Sequence, residues 1–269
     1  MRRPLLVLAA TVMAASTLRA QSHGAVAAGD KAHAKAPAGA PTAAHGPHWT
    51  YEGAEGPRNW GRLDPAWRAC ATGHEQSPID LGGAVRPHTA RLEERFTASN
   101  IVLFNNGHTV QAALDRPSTL VTEGGRFDAV QFHFHHPSEH TVNGKAYPAE
   151  VHLVHKNAKG ELAVLGIFIE IAPEDNPVFD ALVARLPKAE GDSVRFAAPV
   201  DLATLLEDHP GEAEPIYTYH GSLTTPPCSE GVKWTVRARP MHASYRQMQR
   251  LVGVLGESAR PVQPVYDRH

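Results

Sequence analysis

The segment FDAVQFHFHH, residues 127–136, alternates polar and apolar residues over most of its length. Side chains alternate across a β-strand, so this period of two predicts a strand with two chemically different faces. The polar face carries Gln131, His133 and His135. The apolar face carries Val130, Phe132 and Phe134. We therefore expect the apolar face to pack into a core, while the two imidazoles converge on the opposite side.

A second segment, AEVHLVH at residues 149–155, shows the same alternation and places Glu150 and His152 on one face. If the two strands are neighbours, about 4.8 Å apart, His152 faces the His133 and His135 pair. Three neutral imidazoles with an open fourth position form a catalytic zinc arrangement, whereas structural zinc sites fill all four positions, usually with thiolates. The two segments together predict a zinc site, although a lone histidine on a strand is more often structural.

Two further side chains on these faces suit the same site. Gln131 and Glu150 each stand two residues before a histidine, where they can accept the second ring N–H of a ligand and fix its tautomer. By contrast, His136, His140 and His155 fall outside the face pattern. We interpret these three histidines as structural.

The remaining sequence favours strands over helices. Runs such as ELAVLGIFIEI (161–171) and GVKWTVRARP (231–240) are rich in β-forming residues, and Asn143-Gly144 and Lys159-Gly160 stand where hairpins would turn. Helical periodicity is limited to residues 175–187, 242–255 and 201–208. We predict a mainly β (α+β) fold, with a single domain around a large, twisted, predominantly antiparallel sheet and a few short peripheral helices.

The amino-terminal part of the chain does not resemble a folded domain. Residues 1–20 have a basic start, a short apolar run and small residues before Ala20, as in a signal peptide for export to the periplasm or beyond. Residues 21–47 are mainly Ala, Gly, Pro, His and Lys, a composition typical of a disordered linker. The domain is therefore expected at residues 48–269, with no membrane span in the mature protein.

Charge and cysteine content narrow the function further. The chain has 26 Lys and Arg against 28 Asp and Glu, and most of the amino-terminal charges are basic, so the domain is acidic and nucleic acid is not expected as a partner. The two cysteines, Cys70 and Cys228, favour one disulfide in an exported protein. Two free buried thiols are the alternative.

Seven segments in order resemble the α-class carbonic anhydrases, and the cysteine pair resembles the disulfide of their exported bacterial members. They are QSPIDL (76–81), NNGHTVQ (105–111), QFHFHHPSEHTVNGK (131–145), AEVHLVH (149–155), LAVLGIF (162–168), GSLTTPPCSEGVKW (221–234) and ARPVQP (259–264). The resemblance spans nearly all of residues 48–269. It implies a zinc lyase that interconverts carbon dioxide and bicarbonate through attack of a zinc-bound hydroxide, and that sulfonamides and small anions inhibit. It also allows a homodimer.

The same resemblance assigns roles to individual residues. His133, His135 and His152 would bind Zn²⁺, with Gln131 and Glu150 behind them. Thr224 would accept a hydrogen bond from the hydroxide and donate its own proton to Glu139. The apolar substrate pocket would be formed by Val154, Val164, Leu223, Thr225, Val232 and Trp234. His108 would carry the proton to buffer, and Asn106 and Gln111 would order the waters along its path.

Ser258 departs from the family pattern, because an asparagine is common at its position near a ligand; a contact through the backbone carbonyl would make the change harmless. His136 and His220 also stand where other residues are expected, away from the proposed chemistry. Two alternatives use the same histidines. In a metal cupin, Glu139 would be a ligand to iron or manganese together with His133 and His135, but no second cupin segment follows. In a zinc carrier, the three ligands would bind metal without catalysis.

Overall fold

The computed structural model describes residues 47–83, 85–122, 124–207 and 212–268. The signal peptide predicted at 1–20 and nearly all of the linker predicted at 21–47 lie outside these residues. The described residues belong to one compact unit. Among them, no helix is long and apolar enough to cross a membrane.

Strands dominate the structure. They are β1 Asp80–Leu81, β2 His88–Arg91, β3 Glu93–Arg95, β4 Ile101–Asn105, β5 Val110–Leu114, β6 Thr119–Thr122, β7 Gly125–His135, β8 Thr141–Val142, β9 Lys145–Ala146, β10 Ala149–Lys156, β11 Leu162–Ala172, β12 Ser193–Arg195, β13 Ala213–Ser222 and β14 Glu230–Ser244. The α-helices are α1 Trp60–Leu63, α2 Ala69–Thr72, α3 Pro177–Val183, α4 Leu202–Leu205 and α5 Tyr245–Leu255. Two single turns of 3₁₀ helix cover Gly53–Glu55 and Pro65–Trp67.

Eleven strands form one large sheet in the order β12-β4-β5-β7-β10-β11-β14-β13-β2, with β3 and β6 attached beside β7. Every neighbouring pair in it is antiparallel except β11 and β14, which run parallel. A small sheet of β1, β8 and β9 stands apart. The prediction of a large, predominantly antiparallel sheet with short helices is therefore confirmed, and the predicted hairpin turns join β8 to β9 and β10 to β11.

One face of the large sheet packs against three helices. Phe132 and Phe134 of β7 are fully buried in a cluster with apolar residues of α3, α4 and α5. The rings of Phe134 and Phe179 lie 5.7 Å apart across this interface. The alternation read from β7 thus separates a dry core on one side of the sheet from the histidines on the other.

The helices begin later than the periodicity indicates. Helix α5 starts at Tyr245 rather than at 242, because β14 stays paired with β11 as far as Ser244. Ser244 then caps the helix: its hydroxyl accepts from the Gln247 N–H, and its own N–H donates to the Gln247 side chain. Helix α3 begins at Pro177 behind the Asn176 cap and ends at Val183, short of the predicted 187.

The apolar face predicted for β7 is wrong at Val130. A β-bulge lies between its neighbours, since Val154 of β10 pairs with Gln131 and the next residue, His155, pairs with Ala129. The extra residue shifts the alternation, so Ala129 is buried and Val130 is 44% exposed. A strict period of two cannot show where a strand gains one residue.

Candidate metal centre

Strand register brings three histidines together. Strands β7 and β10 are antiparallel neighbours, and His152 pairs directly with His133. The ring centroids of His135 and His152 are 4.7 Å apart, and those of His133 and His135 are 4.9 Å apart. Each ring presents one nitrogen within 4.8 Å of the others. The adjacency expected from the sequence is therefore present.

The second nitrogen of each ring faces an oxygen. His133 Nδ1 lies 2.8 Å from Gln131 Oε1, and His152 Nε2 lies 2.9 Å from Glu150 Oε1. Because a carbonyl or ionised carboxylate oxygen can only accept, these ring nitrogens donate, and the opposite nitrogen of each neutral ring carries a free lone pair. The lone pairs are then His133 Nε2 and His152 Nδ1.

His135 is oriented by the backbone of a distant segment. Its Nδ1 lies 2.6 Å from the carbonyl oxygen of Ser258, which leaves His135 Nε2 free. Residues 258–264, which we call the C-terminal strap, have no regular secondary structure. The contact uses the main chain, so a serine in place of the family's common asparagine preserves it.

Two buried polar atoms in the centre lack hydrogen-bond partners among the described residues: His135 Nε2 and Glu139 Oε2, which lie 3.4 Å apart. An unpartnered buried polar atom is costly, so such atoms call for a further partner. Three unshared imidazole nitrogens are the donor set of a catalytic zinc site. The residues therefore fit a zinc ion held by His133, His135 and His152.

Burial controls the charge of these groups. Desolvation, reinforced by the neighbouring imidazoles, holds the pKa of His133 well below its usual value. Burial also lowers the pKa of His135, against the opposing charge of Glu139. For His152, burial lowers the pKa but Glu150 and Glu139 outweigh it, so the net pKa is raised. His133 and His135 are thus neutral at neutral pH, as metal binding requires.

Glu150 connects a second buried cluster to the first. Its oxygens accept from the N–H and Nδ1 of His140 at 2.9 and 2.7 Å, and His140 Nε2 lies 2.6 Å from the Tyr219 hydroxyl. His140, Glu150 and His152 also lie close enough to hold a metal. Their facing atoms already bond to one another, however, so this group has no free lone pair for a metal and instead orients His152. Gly166 leaves room for it, because a Cβ there would lie 2.9 Å from Glu150 Oε1.

The other histidines outside the face pattern are held by main-chain carbonyls. His136 Nδ1 lies 2.7 Å from the Pro148 oxygen, and His155 Nδ1 lies 2.9 Å from the Leu153 oxygen. Burial lowers the pKa of His155 to about 4, so it is neutral at ordinary pH. These contacts agree with the structural interpretation of both residues.

Glu139 is buried beside the centre, next to the free nitrogens. Its Oε1 accepts from the Arg260 N–H at 2.9 Å, and its Oε2 lies 3.8 Å from His152 Nδ1. Thr224 is buried in the loop between β13 and β14. Among the described residues no hydrogen bond joins Thr224 to Glu139, so that predicted bond stays a prediction.

The Thr224 loop is closed by covalent and backbone contacts. Cys70 and Cys228 form a disulfide, as predicted. The Cys228 N–H donates to the Thr225 carbonyl at 2.8 Å, and the Leu223 N–H donates to the Ser229 carbonyl at 3.0 Å. These bonds fix the turn that carries Thr224 and Thr225.

An apolar wall adjoins the histidines. Strand register aligns Val154, Val164 and Trp234 across β10, β11 and β14. All three belong to one cluster with Val232, and Leu223 packs against it. The Trp234 ring lies 4.9 Å from the His152 ring, and Thr225 is half-buried nearby in sequence. Five of the residues predicted for the pocket, Val154, Val164, Leu223, Val232 and Trp234, thus pack together, and no contact places Thr225 with them among the described residues.

His108 lies at a pocket that it shares with Trp49 and Glu190. Its ring stacks on Trp49 with centroids 3.6 Å apart and an interplanar angle of 11°. Burial is the largest effect on its pKa and lowers it; the nearby His48 adds to this, and Glu190 opposes it. Asn106 shapes the turn, because its side-chain oxygen accepts from the His108 N–H at 2.9 Å.

Gln111 of β5 pairs with His133 of β7. Sequence reasoning missed Tyr51, whose hydroxyl is buried without a hydrogen-bond partner among the described residues. Burial, then the charge of Glu139, raises its pKa well above the usual value. It also missed Trp49 and Arg260. The signals available were the aromatic spacing of WTYEG (49–53) and an arginine in the terminal segment ARPVQP, neither of which indicates a role by itself.

Comparisons with known proteins agree on one family. The model of the eukaryotic-type carbonic anhydrases matches residues 55–269. Curated relatives include the carbonic anhydrases of Klebsiella pneumoniae, 39% identical over 82% of this chain and 89% of that protein, and of Nostoc sp., 40% identical over 82% and 84%.

Solved structures give the same result. The α-carbonic anhydrase of Thermovibrio ammonificans, in complex with the inhibitor sulfanilamide, is 40% identical and covers 83% of this chain and 98% of that one, with a TM-score of 0.77. The α-carbonic anhydrase of Photobacterium profundum is also 40% identical, covers 82% and 98%, and has a TM-score of 0.75. With this agreement of sequence, fold and histidine geometry, the chain belongs to the α-carbonic anhydrase family and is a carbonic anhydrase, a lyase.

Proposed function

We propose that the protein uses Zn²⁺, held by His133, His135 and His152, to hydrate carbon dioxide reversibly to bicarbonate and a proton. The observation that carries this proposal is the tautomer pattern of the three rings: each donates one N–H to an oxygen and leaves one lone pair free. When bound, zinc supplies a Lewis acid that lowers the pKa of a coordinated water to about 7, as is established for carbonic anhydrases.

Glu139 and Thr224 orient the reacting oxygen. An ionised Glu139 can only accept, and its Oε1 is already bonded to the Arg260 N–H. Its free Oε2 takes the Thr224 proton, so the threonine oxygen must act as an acceptor toward the reacting water. A lone pair of that water is then directed at the substrate carbon. Orientation of this kind accelerates a reaction because the entropy of alignment is lost before the chemical step.

The apolar wall receives the substrate. Carbon dioxide has no net dipole and gains little from polar groups, so a dry surface beside the zinc ligands suits it. Val154, Val164 and Val232 form that surface with Trp234, which also packs against the His152 ring. Leu223 and Thr225 extend it toward Thr224.

His108 moves the product proton to buffer. Its position at an open pocket and its lowered pKa suit a group that accepts a proton from the site and releases it outside. Asn106 and Gln111 order the waters between it and the centre. The Tyr51 hydroxyl, buried and unpartnered among the described residues, lies within electrostatic reach of Glu139 and belongs to the same path.

Export to the periplasm follows from the signal-like residues 1–20, and the Cys70–Cys228 disulfide is compatible with an oxidising compartment. The relative from Thermovibrio ammonificans was solved with sulfanilamide, which supports inhibition of this protein by sulfonamides. We extend that expectation to small anions, and we regard a homodimer as compatible with the fold.

The two alternatives make different demands on the site. A cupin needs Glu139 as a ligand, yet one of its oxygens is bonded to the Arg260 main chain, and the family assignment points elsewhere. The zinc carrier is the stronger rival, because it needs the same three histidines and no further chemistry. Retention of the three histidines with Glu139 and Thr224 favours the enzyme.

Stopped-flow hydration of carbon dioxide, followed by a pH indicator, tests the proposal. Zinc-loaded protein should accelerate hydration, and both a chelator and an aromatic sulfonamide should abolish the acceleration. If the protein holds one zinc ion and does not accelerate hydration over buffer, it binds zinc without catalysis and is a carrier.

A further inference from the structure

Arg260 is an arginine in the interior. It is 2% exposed and ranks among the largest fully buried side chains of the described residues. Burying a guanidinium is costly unless its donors are satisfied. Burial lowers its pKa to about 10, against the opposing charge of Glu139, so it remains a cation at neutral pH. A buried charge that the proposed chemistry does not use needs an explanation.

The guanidinium donates to two main-chain carbonyls. Its Nη1 donates to the Ser77 oxygen at 2.7 Å, and its Nη2 donates to the Cys70 oxygen at 3.0 Å. It also lies 5.8 Å from the centre of the Trp60 ring. Trp60 and Cys70 belong to helices α1 and α2. Arg260 therefore fastens the C-terminal strap to this pair of short helices.

The strap in turn holds two groups of the zinc centre by its main chain. The Arg260 N–H donates to Glu139 Oε1, and the Ser258 carbonyl accepts from His135 Nδ1. The Arg260 side chain and the Arg260 N–H are parts of one residue, so fixing the first restricts the second. The position of the Glu139 carboxylate is thus tied to the Cys70 carbonyl.

The same cysteine is tied to the opposite side of the centre. Its sulfur bonds to Cys228, whose N–H closes the turn onto the Thr225 carbonyl. Cys228 lies four residues after Thr224. The side-chain amide of Gln76 donates to the Cys228 carbonyl at 3.0 Å and so also holds the loop that carries Thr224. Glu139 and the Thr224 loop are thus connected to the same residue of α2, Cys70, by two separate sets of contacts.

We propose that helix α2 is the common anchor of the Glu139–Thr224 pair, with Arg260 positioning Glu139 and the disulfide positioning the Thr224 loop. Arg260 touches neither substrate nor metal in this scheme; it acts through Glu139. The inference rests on the roles proposed above for Glu139 and Thr224. A buried arginine and a disulfide then share one task, because together they set the distance between the side chains of Glu139 and Thr224.

Arg268 provides a matched control. It is a second arginine of the C-terminal segment that donates to carbonyls, those of Gln76, His220 and Pro264. No hydrogen bond among the described residues links it to Glu139. Arg260→Met and Arg268→Met each remove an arginine that holds the C-terminal segment, and only the first removes the contacts of the residue whose N–H donates to Glu139.

The test compares these variants with equal zinc content and below the onset of unfolding. Arg260→Met should lower kcat for carbon dioxide hydration by about ten- to a hundredfold at nearly unchanged KM, since misplacement of an orienting group costs that much. Arg260→Lys, which can keep one carbonyl bond, should fall between it and the parent. Arg268→Met should stay within about twofold of the parent.

A readout without catalysis accompanies the kinetics. In the metal-free protein, hydrogen–deuterium exchange of a peptide covering residues 257–263 should be faster in Arg260→Met and unchanged in Arg268→Met. Equal kcat and equal exchange in the two variants would overturn the inference. Should Arg260→Met fail to fold, Arg260→Lys against Arg268→Lys makes the same comparison.

A double-mutant cycle tests the common anchor. Cys70→Ser/Cys228→Ser should lower kcat, and adding Arg260→Met should lower it by less than in the parent, because either change already separates the pair. If the fold decreases in kcat caused by the two changes multiply in full, Arg260 and the disulfide act independently. If the parent itself does not hydrate carbon dioxide, the proposed function fails; if the parent is active and only the cycle is additive, the common anchor alone fails.

Discussion

The strands β7 and β10 and the C-terminal strap hold the same centre by different means. The strands supply side chains, His133, His135 and His152, at positions fixed by alternation and register. The strap has no regular structure and supplies main-chain groups, the Ser258 carbonyl and the Arg260 N–H. The difference teaches that side-chain identity is essential on the strands, whereas on the strap the path of the backbone is what matters.

The largest expected effect is the loss of a strand ligand. His152→Ala removes one of three lone pairs, so tight stoichiometric zinc binding and zinc-dependent hydration should both be lost. Metal content after dialysis against a chelator measures the first, and stopped-flow hydration measures the second. His155→Ala, on the same strand, is the control and should retain zinc. A His152→Ala protein that keeps one tightly held zinc ion would contradict the ligand assignment.

The next prediction concerns the disulfide that joins α2 to the loop that carries Thr224. Reduction of Cys70–Cys228 should lower the free energy of unfolding by up to about 5 kcal/mol, because the bond closes a long loop in the unfolded chain. Denaturant unfolding with and without reductant measures the loss. An unchanged midpoint would show that non-covalent contacts suffice to hold α2 and the Thr224 loop.

Substitution on the apolar face of β7 should strongly lower stability, and an exposed residue of the same strand provides the control. Phe132→Ala should cost about 3–5 kcal/mol of stability because it empties a fully buried site. Val130→Ala, two residues away, should cost less than about 0.5 kcal/mol, because the bulge exposes it. Similar losses of stability in the two variants would mean that Val130 is buried beside Phe132 and that the strand has no bulge.

Smaller effects should separate a side-chain contact from a main-chain contact. Gln131→Ala removes the acceptor of His133 Nδ1 and should weaken zinc binding by about 10- to 100-fold. Ser258→Ala keeps the carbonyl that accepts from His135 Nδ1 and should change zinc affinity by less than about threefold. Competition with a chelating dye measures both. Equal weakening would mean that the Ser258 hydroxyl, which accepts from the His136 N–H, matters as much as the carbonyl.

Under ordinary assay conditions the smallest effect belongs to His108. Burial lowers its pKa, so the ring is largely neutral and able to accept a proton at neutral pH. In weak buffer, turnover should rise with pH through a midpoint below about 6.5, the usual histidine value. His108→Ala should slow turnover there, recover with added imidazole and match the parent in strong buffer. Equal turnover in weak buffer would remove the shuttle role.

Periodicity and family resemblance anticipated much of the fold and of the strand side of the site. The alternation in β7 and β10 placed three histidines on matching faces, because the side-chain period of a strand is fixed by backbone geometry. Asn143-Gly144 and Lys159-Gly160 marked two hairpins for the same local reason. Val130 and the start of α5 were missed, because a bulge and an extended ladder depend on the partner strand.

By itself, the sequence determined most of the residues that share a face, most of the strands and the three histidines that could bind a metal, because these properties depend on neighbours within a few positions. Only the tertiary structure decided that the Ser258 carbonyl orients His135, that Arg260 is buried, and that Cys70 connects to both Glu139 and the Thr224 loop. Those contacts join residues more than one hundred positions apart through main-chain atoms. Every residue carries the same main-chain groups, so no side-chain pattern in the sequence marks them.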